Sequence, residues 1–154
     1  MGTAKIMKDK SLTCKTTTVI GTPHYMAPEV LLNKGYSFYV DIWSIGIILY
    51  EFMCGLVPFG ETCEDPFAIY QEIVTSESPD FPEYMNDKLA KKLIHQLLLK
   101  TPEARLGGDF SVLKANKWFE ESSDEFCWDS LANQKVKAVP YTPPSAKYED
   151  YDKI

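Results

Sequence analysis

Apolar residues recur along this chain at helical spacing, and no run alternates apolar and polar positions as a half-buried strand does. From Val40 to Cys54 it reads Val-Asp-Ile-Trp-Ser-Ile-Gly-Ile-Ile-Leu-Tyr-Glu-Phe-Met-Cys. That stretch is apolar nearly all round, which predicts a helix buried on most sides and stopped by Gly55 and Pro58. Trp43, Ile45, Ile47, Ile48 and Leu49 are therefore assigned to the core. Asp65-Pro66 is a start signal, with the carboxylate at the cap and Pro in the first helical position. Phe67, Tyr70, Ile73 and Val74 then line one face to about Ser76. Asn86 or Asp87 caps a third long helix, whose stripe is Leu89, Ala90, Leu93, Ile94, Leu97 and Leu98. A short helix starts near Ala27-Pro28 and ends by Gly35. Another runs from about Phe110 to Lys117, after Gly107-Gly108 breaks the chain. The pattern is all-α.

The two ends differ from this middle. Residues 3–18 are rich in Lys and Thr with few apolar anchors and read as a loop. Beyond Phe119 the chain turns acidic from Glu120 to Glu125, with Phe126 and Trp128 as isolated anchors. Val139 to Pro144 has to be extended. Such a tail either wraps along another surface or is a loose terminus.

Composition adds limits. The 154 residues are 45% hydrophobic and 25% charged, enough for one domain with a core. The net charge of -6 argues against a nucleic-acid partner, which would ask for a basic face. Fifteen of the sixteen basic residues are Lys, and Arg105 stands alone. Its planar fork suits a bidentate carboxylate better than any Lys. Cys14, Cys54, Cys63 and Cys127 form no CxxC pair, and His24 and His95 lie far from any metal-like cluster, so no metal site is expected. No signal peptide is evident, and free thiols in a reducing, cytoplasmic setting are the default. Met1-Gly2 does not continue into a myristoylation pattern, because Ile6 stands where Ser or Thr is wanted. Ile42 to Phe59 contains Ser44, Glu51 and Pro58, so a buried helix is expected there and no membrane span.

Three strings carry a resemblance. Gly21-Thr22-Pro23-His24-Tyr25-Met26-Ala27-Pro28-Glu29 is followed by Asp41-Ile-Trp-Ser-Ile-Gly46 and then by Arg105 within Thr101-Pro-Glu-Ala-Arg-Leu-Gly107. Together they resemble the second half of a serine/threonine protein kinase catalytic domain. Val57-Pro58-Phe59, Lys117-Trp118-Phe119 and Phe126-Cys127-Trp128 are similar to the cyclic-nucleotide-dependent group. Gly2-Thr3-Ala4-Lys5-Ile6 and residues 21–30 look most like its cGMP-dependent members, with the cAMP-dependent ones as the alternative. The resemblance implies an activation segment over residues 1–26, the helical large lobe over 27–119 and a C-terminal tail over 120–154. It also implies that Gly2 closes a D-F-G motif, so that the Gly-rich loop, the strand Lys and the H-R-D loop all lie outside this sequence. A piece of that kind is expected to be inactive alone and to leave apolar surface open to self-association.

The same resemblance assigns roles. Thr18 takes the place of the activating phosphothreonine, with Thr16 and Thr17 as alternatives and Lys5 as one clamp on the phosphate. Thr22 takes the place of the Thr that positions the catalytic loop, and Asp41 that of the carboxylate anchoring the same loop. Val19, Pro23 and Met26 form the wall for the residue after the phosphoacceptor. Glu51 reads an Arg two residues before it; taken alone, Glu51 is as well a helix-end acid facing water. His24 stands where an acid would read a more distant base. Glu29 and Arg105 are the ion pair that ties the activation segment to the lobe. Tyr148 and Tyr151 are tail aromatics that reach the nucleotide. The whole protein is then expected to use Mg-ATP, to answer to cGMP, to act on proteins with basic residues before the Ser or Thr, and to include a small lobe and regulatory domains. The rival reading is a non-catalytic helical scaffold built on such a lobe.

Overall fold

The computed structural model describes residues 21–108, 110–122 and 127–136. Every regular element among them is helical, and none is a strand. Ala27 is extended at φ -72° and ψ 150°, and Pro28 opens α1 (Pro28–Leu31). The chain then turns through Asn33 and Gly35, both at positive φ.

Helix α2 (Tyr39–Cys54) is the spine of the molecule. Gly55 ends it in the left-handed region at φ 74°, where a side chain would be strained, and its N–H donates to the Glu51 carbonyl at 2.8 Å. Helix α3 (Pro66–Thr75) begins at Asp65, whose carboxylate accepts the Phe67 N–H at 3.1 Å. Its buried positions are Ile69 and Ile73, four residues apart and turned toward α1 and the 3-10 helix Pro23–Tyr25. The expected face shared by Phe67, Tyr70, Ile73 and Val74 is corrected. Phe67 lies about 200° round the helix from Ile69 and is exposed, stacking edge-on against Tyr70.

Asp87, and not Asn86, caps α4 (Lys88–Leu97), with one oxygen accepting the N–H groups of Leu89 and Ala90 at 2.9 Å. The other oxygen accepts the Trp118 indole N–H at 3.0 Å, so one side chain starts a helix and fastens a later one. Ala90, Leu93, Ile94 and Leu97 are buried against α2 and its surroundings. Gly46 permits that approach, since a Cβ there would come within 2.8 Å of Leu97 Cβ.

After the 3-10 helix Pro102–Gly108 come α5 (Phe110–Lys114), α6 (Lys117–Ser122) and α7 (Trp128–Ala132). The single helix expected from Phe110 to Lys117 is thus two. Asn116 breaks it, because its side-chain oxygen accepts the Trp118 N–H at 3.0 Å and starts a new helix. Helix α7, absent from the sequence reading, is anchored where Trp128 donates to the Lys114 carbonyl at 2.9 Å and its ring meets Phe119 at 4.8 Å.

Trp43 and Phe59 stack at 5.8 Å in the core, surrounded by Ile47, Tyr50, Ile73 and Ile94. The assignment of Ile45 and Ile48 to the core is corrected: both are exposed, and the larger neighbour Phe52 is 82% exposed. A helix that is apolar on every side has more faces than the described neighbours cover. No helix among the described residues is long and apolar enough to cross a membrane.

Candidate functional site

Arg105 is fully buried, and each of its five N–H groups has an acceptor. Nη1 and Nη2 each hold one oxygen of Glu29 at 2.7 Å. Nη1 also donates to the Tyr39 carbonyl at 3.0 Å, Nη2 to that of Lys100 at 3.4 Å, and Nε to that of Leu99 at 2.7 Å. The guanidinium lies 5.0 Å from the Trp43 ring centroid, which places the charge against a π face. The pair joins α1 to the 3-10 helix Pro102–Gly108 across 76 residues of sequence. A buried pair adds little net stability, but breaking one side costs about 3–5 kcal/mol because a lone charge stays behind. Its work here is geometric: it fixes the end of the loop that begins at Gly21.

That loop is fastened to α2 at two further points. The Ser44 hydroxyl lies 3.2 Å from the Tyr25 carbonyl and 3.1 Å from the Val40 carbonyl of its own helix, and shares its one proton between them. The Tyr25 hydroxyl donates to Glu51 Oε2 at 2.6 Å. The bond to the Glu51 carboxylate, helped by partial burial, raises the Tyr25 phenol above its ordinary range, because ionised Tyr25 would face a like charge. Glu51 is half-buried in a helix of apolar residues and is oriented by a partner, unlike an acid facing open water. His24 is half-buried, with Nε2 3.4 Å from the Gly60 carbonyl oxygen.

Thr22 and Asp41 share the wall of one hollow of about 230 Å³, together with Gly21, Tyr25, Met26 and Ser44. Thr22 is exposed, and its hydroxyl makes no capping bond to the 3-10 helix it precedes. Crowding by the walls of the hollow raises the Asp41 carboxyl above its usual range, although more than a third of the residue meets solvent. Met26 is buried and Pro23 half-buried on the same loop.

The structure therefore brings Thr22, Pro23, Met26 and Asp41 to one loop–helix junction, with Glu51 three turns along α2 and Glu29–Arg105 fastening the loop's end. Lys5, Thr16, Thr17, Thr18, Val19, Tyr148 and Tyr151 lie outside the described residues. Sequence reasoning gave no role to Tyr25 or Ser44, which hold the loop on α2. Their partners lie 26 and 19 residues away, and no local pattern signals them.

Comparison with known proteins bears on the family of the chain. Residues 1–119 match the protein kinase domain family. The chain is 40% identical over 146 residues to a cGMP-dependent protein kinase of Plasmodium berghei, covering 93% of this chain and 16% of that protein. It is 39% identical over 144 residues to a cGMP-dependent protein kinase of Toxoplasma gondii, covering 92% and 14%. A human cAMP-dependent protein kinase catalytic subunit, PRKX, is 36% identical over 140 residues, covering 89% and 37%. The chain thus spans about one-seventh of the length of the first two relatives.

Proposed function

Since the chain belongs to the protein kinase family, we propose that it forms the activation and substrate-docking part of a serine/threonine kinase of the cGMP-dependent type. The whole protein would move the γ-phosphate of ATP to Ser or Thr of proteins carrying basic residues before the acceptor. The observation that carries this reading is Glu51, half-buried and held by the Tyr25 hydroxyl beside the loop of Thr22, Pro23 and Met26. An oriented carboxylate of that kind suits the guanidinium of an incoming Arg.

In this reading residues 1–26 are the activation segment, 27–119 the helical lobe and 120–154 the tail. Phosphorylation of Thr18, clamped by Lys5, orders the segment. Thr22 and Asp41 hold the catalytic loop at their shared hollow. Val19, Pro23 and Met26 receive an apolar residue after the acceptor, and Tyr148 reaches the nucleotide pocket. Among the described residues no group of three or more His, Cys, Asp or Glu could hold a metal ion, and this reading takes Mg-ATP to bind at the small lobe and catalytic loop of the whole protein. Its ligands, and any domain that binds cGMP, would come from elsewhere in the protein. A cytoplasmic setting suits the free thiols of Cys54 and Cys63.

The exposed residues Ile45, Ile48 and Phe52 favour a second reading, an interaction module that associates with itself or with other proteins. The test is a kinase assay on the full-length protein with Mg-ATP and a Ser peptide bearing Arg two residues before the acceptor. Glu51→Gln should raise KM for this peptide about 10–100-fold, the worth of one charge-assisted contact, and leave an Ala-for-Arg peptide unaffected. Equal effects on both peptides would remove Glu51 from substrate reading. Absence of transfer by the unaltered protein would favour the interaction module.

A further inference from the structure

From Asp41 to Asp87 the sequence holds ten acidic residues and no Lys or Arg, and then one side of α4 reverses the sign with Lys88, Lys91, Lys92 and His95. These four, with Gln96 and Leu99, line a hollow of about 430 Å³. Lys88, Lys92, His95 and Leu99 are exposed. Lys91 is half-buried, with Nζ 5.4 Å from the Phe81 ring centroid, and the His95 ring meets the same Phe81 edge-on at 5.2 Å. Phe81 thus steadies two members of the strip.

Helix stability does not account for this placement. The unsatisfied N–H groups of a first turn favour acids, and α4 has none there. Lys88 and Lys92 are like charges one turn apart, an arrangement that weakens a helix, and Lys91 crowds the same turn. Among the described residues no carboxylate pairs with any of the three; the ion pair found there is Glu29–Arg105. Asp87 is next in sequence, but one of its oxygens accepts from Leu89 and Ala90 and the other from Trp118.

We propose that this face of α4 docks an extended acidic segment of another protein. Lys88 and Lys92 stand about 6 Å apart along the helix axis. Alternate side chains of an extended peptide stand about 6.6 Å apart, so two carboxylates on one edge meet both ammonium groups. Lys91 flanks them, the His95 ring adds an N–H donor, and Leu99 offers an apolar end to the strip. A peptide suits the face better than an anionic membrane does. A broad negative surface would also meet the acids of a chain whose net charge is -6, whereas a peptide meets the strip alone.

The test follows the fluorescence anisotropy of a labelled peptide, with Glu at three alternate positions followed by Leu, on the full-length protein. It should bind about tenfold more tightly than the same peptide with Gln for Glu, and salt should weaken it. Lys88→Glu with Lys92→Glu should weaken binding about tenfold. Both changes put acids in the first turn of α4, so thermal melting should be unchanged or raised. Lys34→Glu with Lys135→Glu alters net charge equally from elsewhere and should change binding less than about twofold. Equal weakening by the two pairs of changes overturns the proposal, and so does equal affinity for the Glu and Gln peptides. Two further results overturn it by giving the face another occupant. One is binding to phosphatidylserine vesicles, without peptide binding, that Lys88→Glu with Lys92→Glu abolishes. The other is self-association in sedimentation velocity, without peptide binding, that the same changes abolish.

Discussion

Trp43, Ile47 and Tyr50 on one side of α2 are 0%, 0% and 2% exposed, whereas Ile45, Ile48 and Phe52 on the other are 36%, 40% and 82% exposed. Both sides are apolar, so the helix alone does not say which faces inward. The covered side is set by its partners: α4 presses against Gly46, and Arg105 and Lys100 lie over the Trp43 ring. Among the described residues, the open side meets Leu93, Leu97, Leu113, Trp118 and Phe119 along a groove of about 230 Å³. Hydrophobicity along a sequence measures what could be buried; packing decides what is.

The largest effect should come from the covered side. Trp43→Ala removes the ring that stacks on Phe59 and carries two cations, and it should cost about 3–5 kcal/mol in denaturant unfolding. A loss below about 1 kcal/mol would mean that this side is no better packed than the open one.

A smaller effect is expected at Asp87, which joins the start of α4 to α6. Asp87→Ala should cost about 1 kcal/mol, the usual worth of an N-cap. Hydrogen bonds from Ala90, then from Trp118 and Leu89, hold its carboxyl below the ordinary carboxylate range against a weaker push from desolvation. With the folded pKa depressed, this stabilisation is present above the unfolded pKa of about 4 and is lost as pH falls through the folded value. The difference between the Asp87→Ala and unaltered chains should therefore narrow as pH drops below about 4, as equilibrium unfolding at several pH values would show.

The smallest change in stability should come from the open side. Ile48→Ser and Phe52→Ser should each alter unfolding by less than about 0.5 kcal/mol. Both should reduce self-association in sedimentation velocity if that surface joins copies. A loss near that of Trp43→Ala would mean that the open side is covered after all, and the contrast between the two faces would fall.

The contrast also explains what could be read in advance. The starts at Asp65-Pro66 and Asp87 were legible because a cap is a local bond between a side chain and the next few backbone N–H groups. Arg105 was legible because a lone guanidinium among many lysines has little other reason to be there. The face of α2 was not, since an all-apolar stretch carries no phase. Nor was the break at Asn116, whose side chain reads equally well as an exposed helical residue until its bond to Trp118 is seen. Tyr25 with Glu51, and Lys100 with Ile73, were hidden because each contact spans more than 25 residues.

The fork between Glu29 and Arg105 fastens the loop of Thr22, Pro23 and Met26 to the helical body. A double-mutant cycle on the full-length protein, with Glu29→Ala, Arg105→Ala and both, tests it by denaturant unfolding. Each single change should cost about 3–5 kcal/mol, and the double change should recover part of that loss, because no lone buried charge remains. Additive effects, with coupling under about 0.5 kcal/mol, would contradict it and leave the loop without its tether.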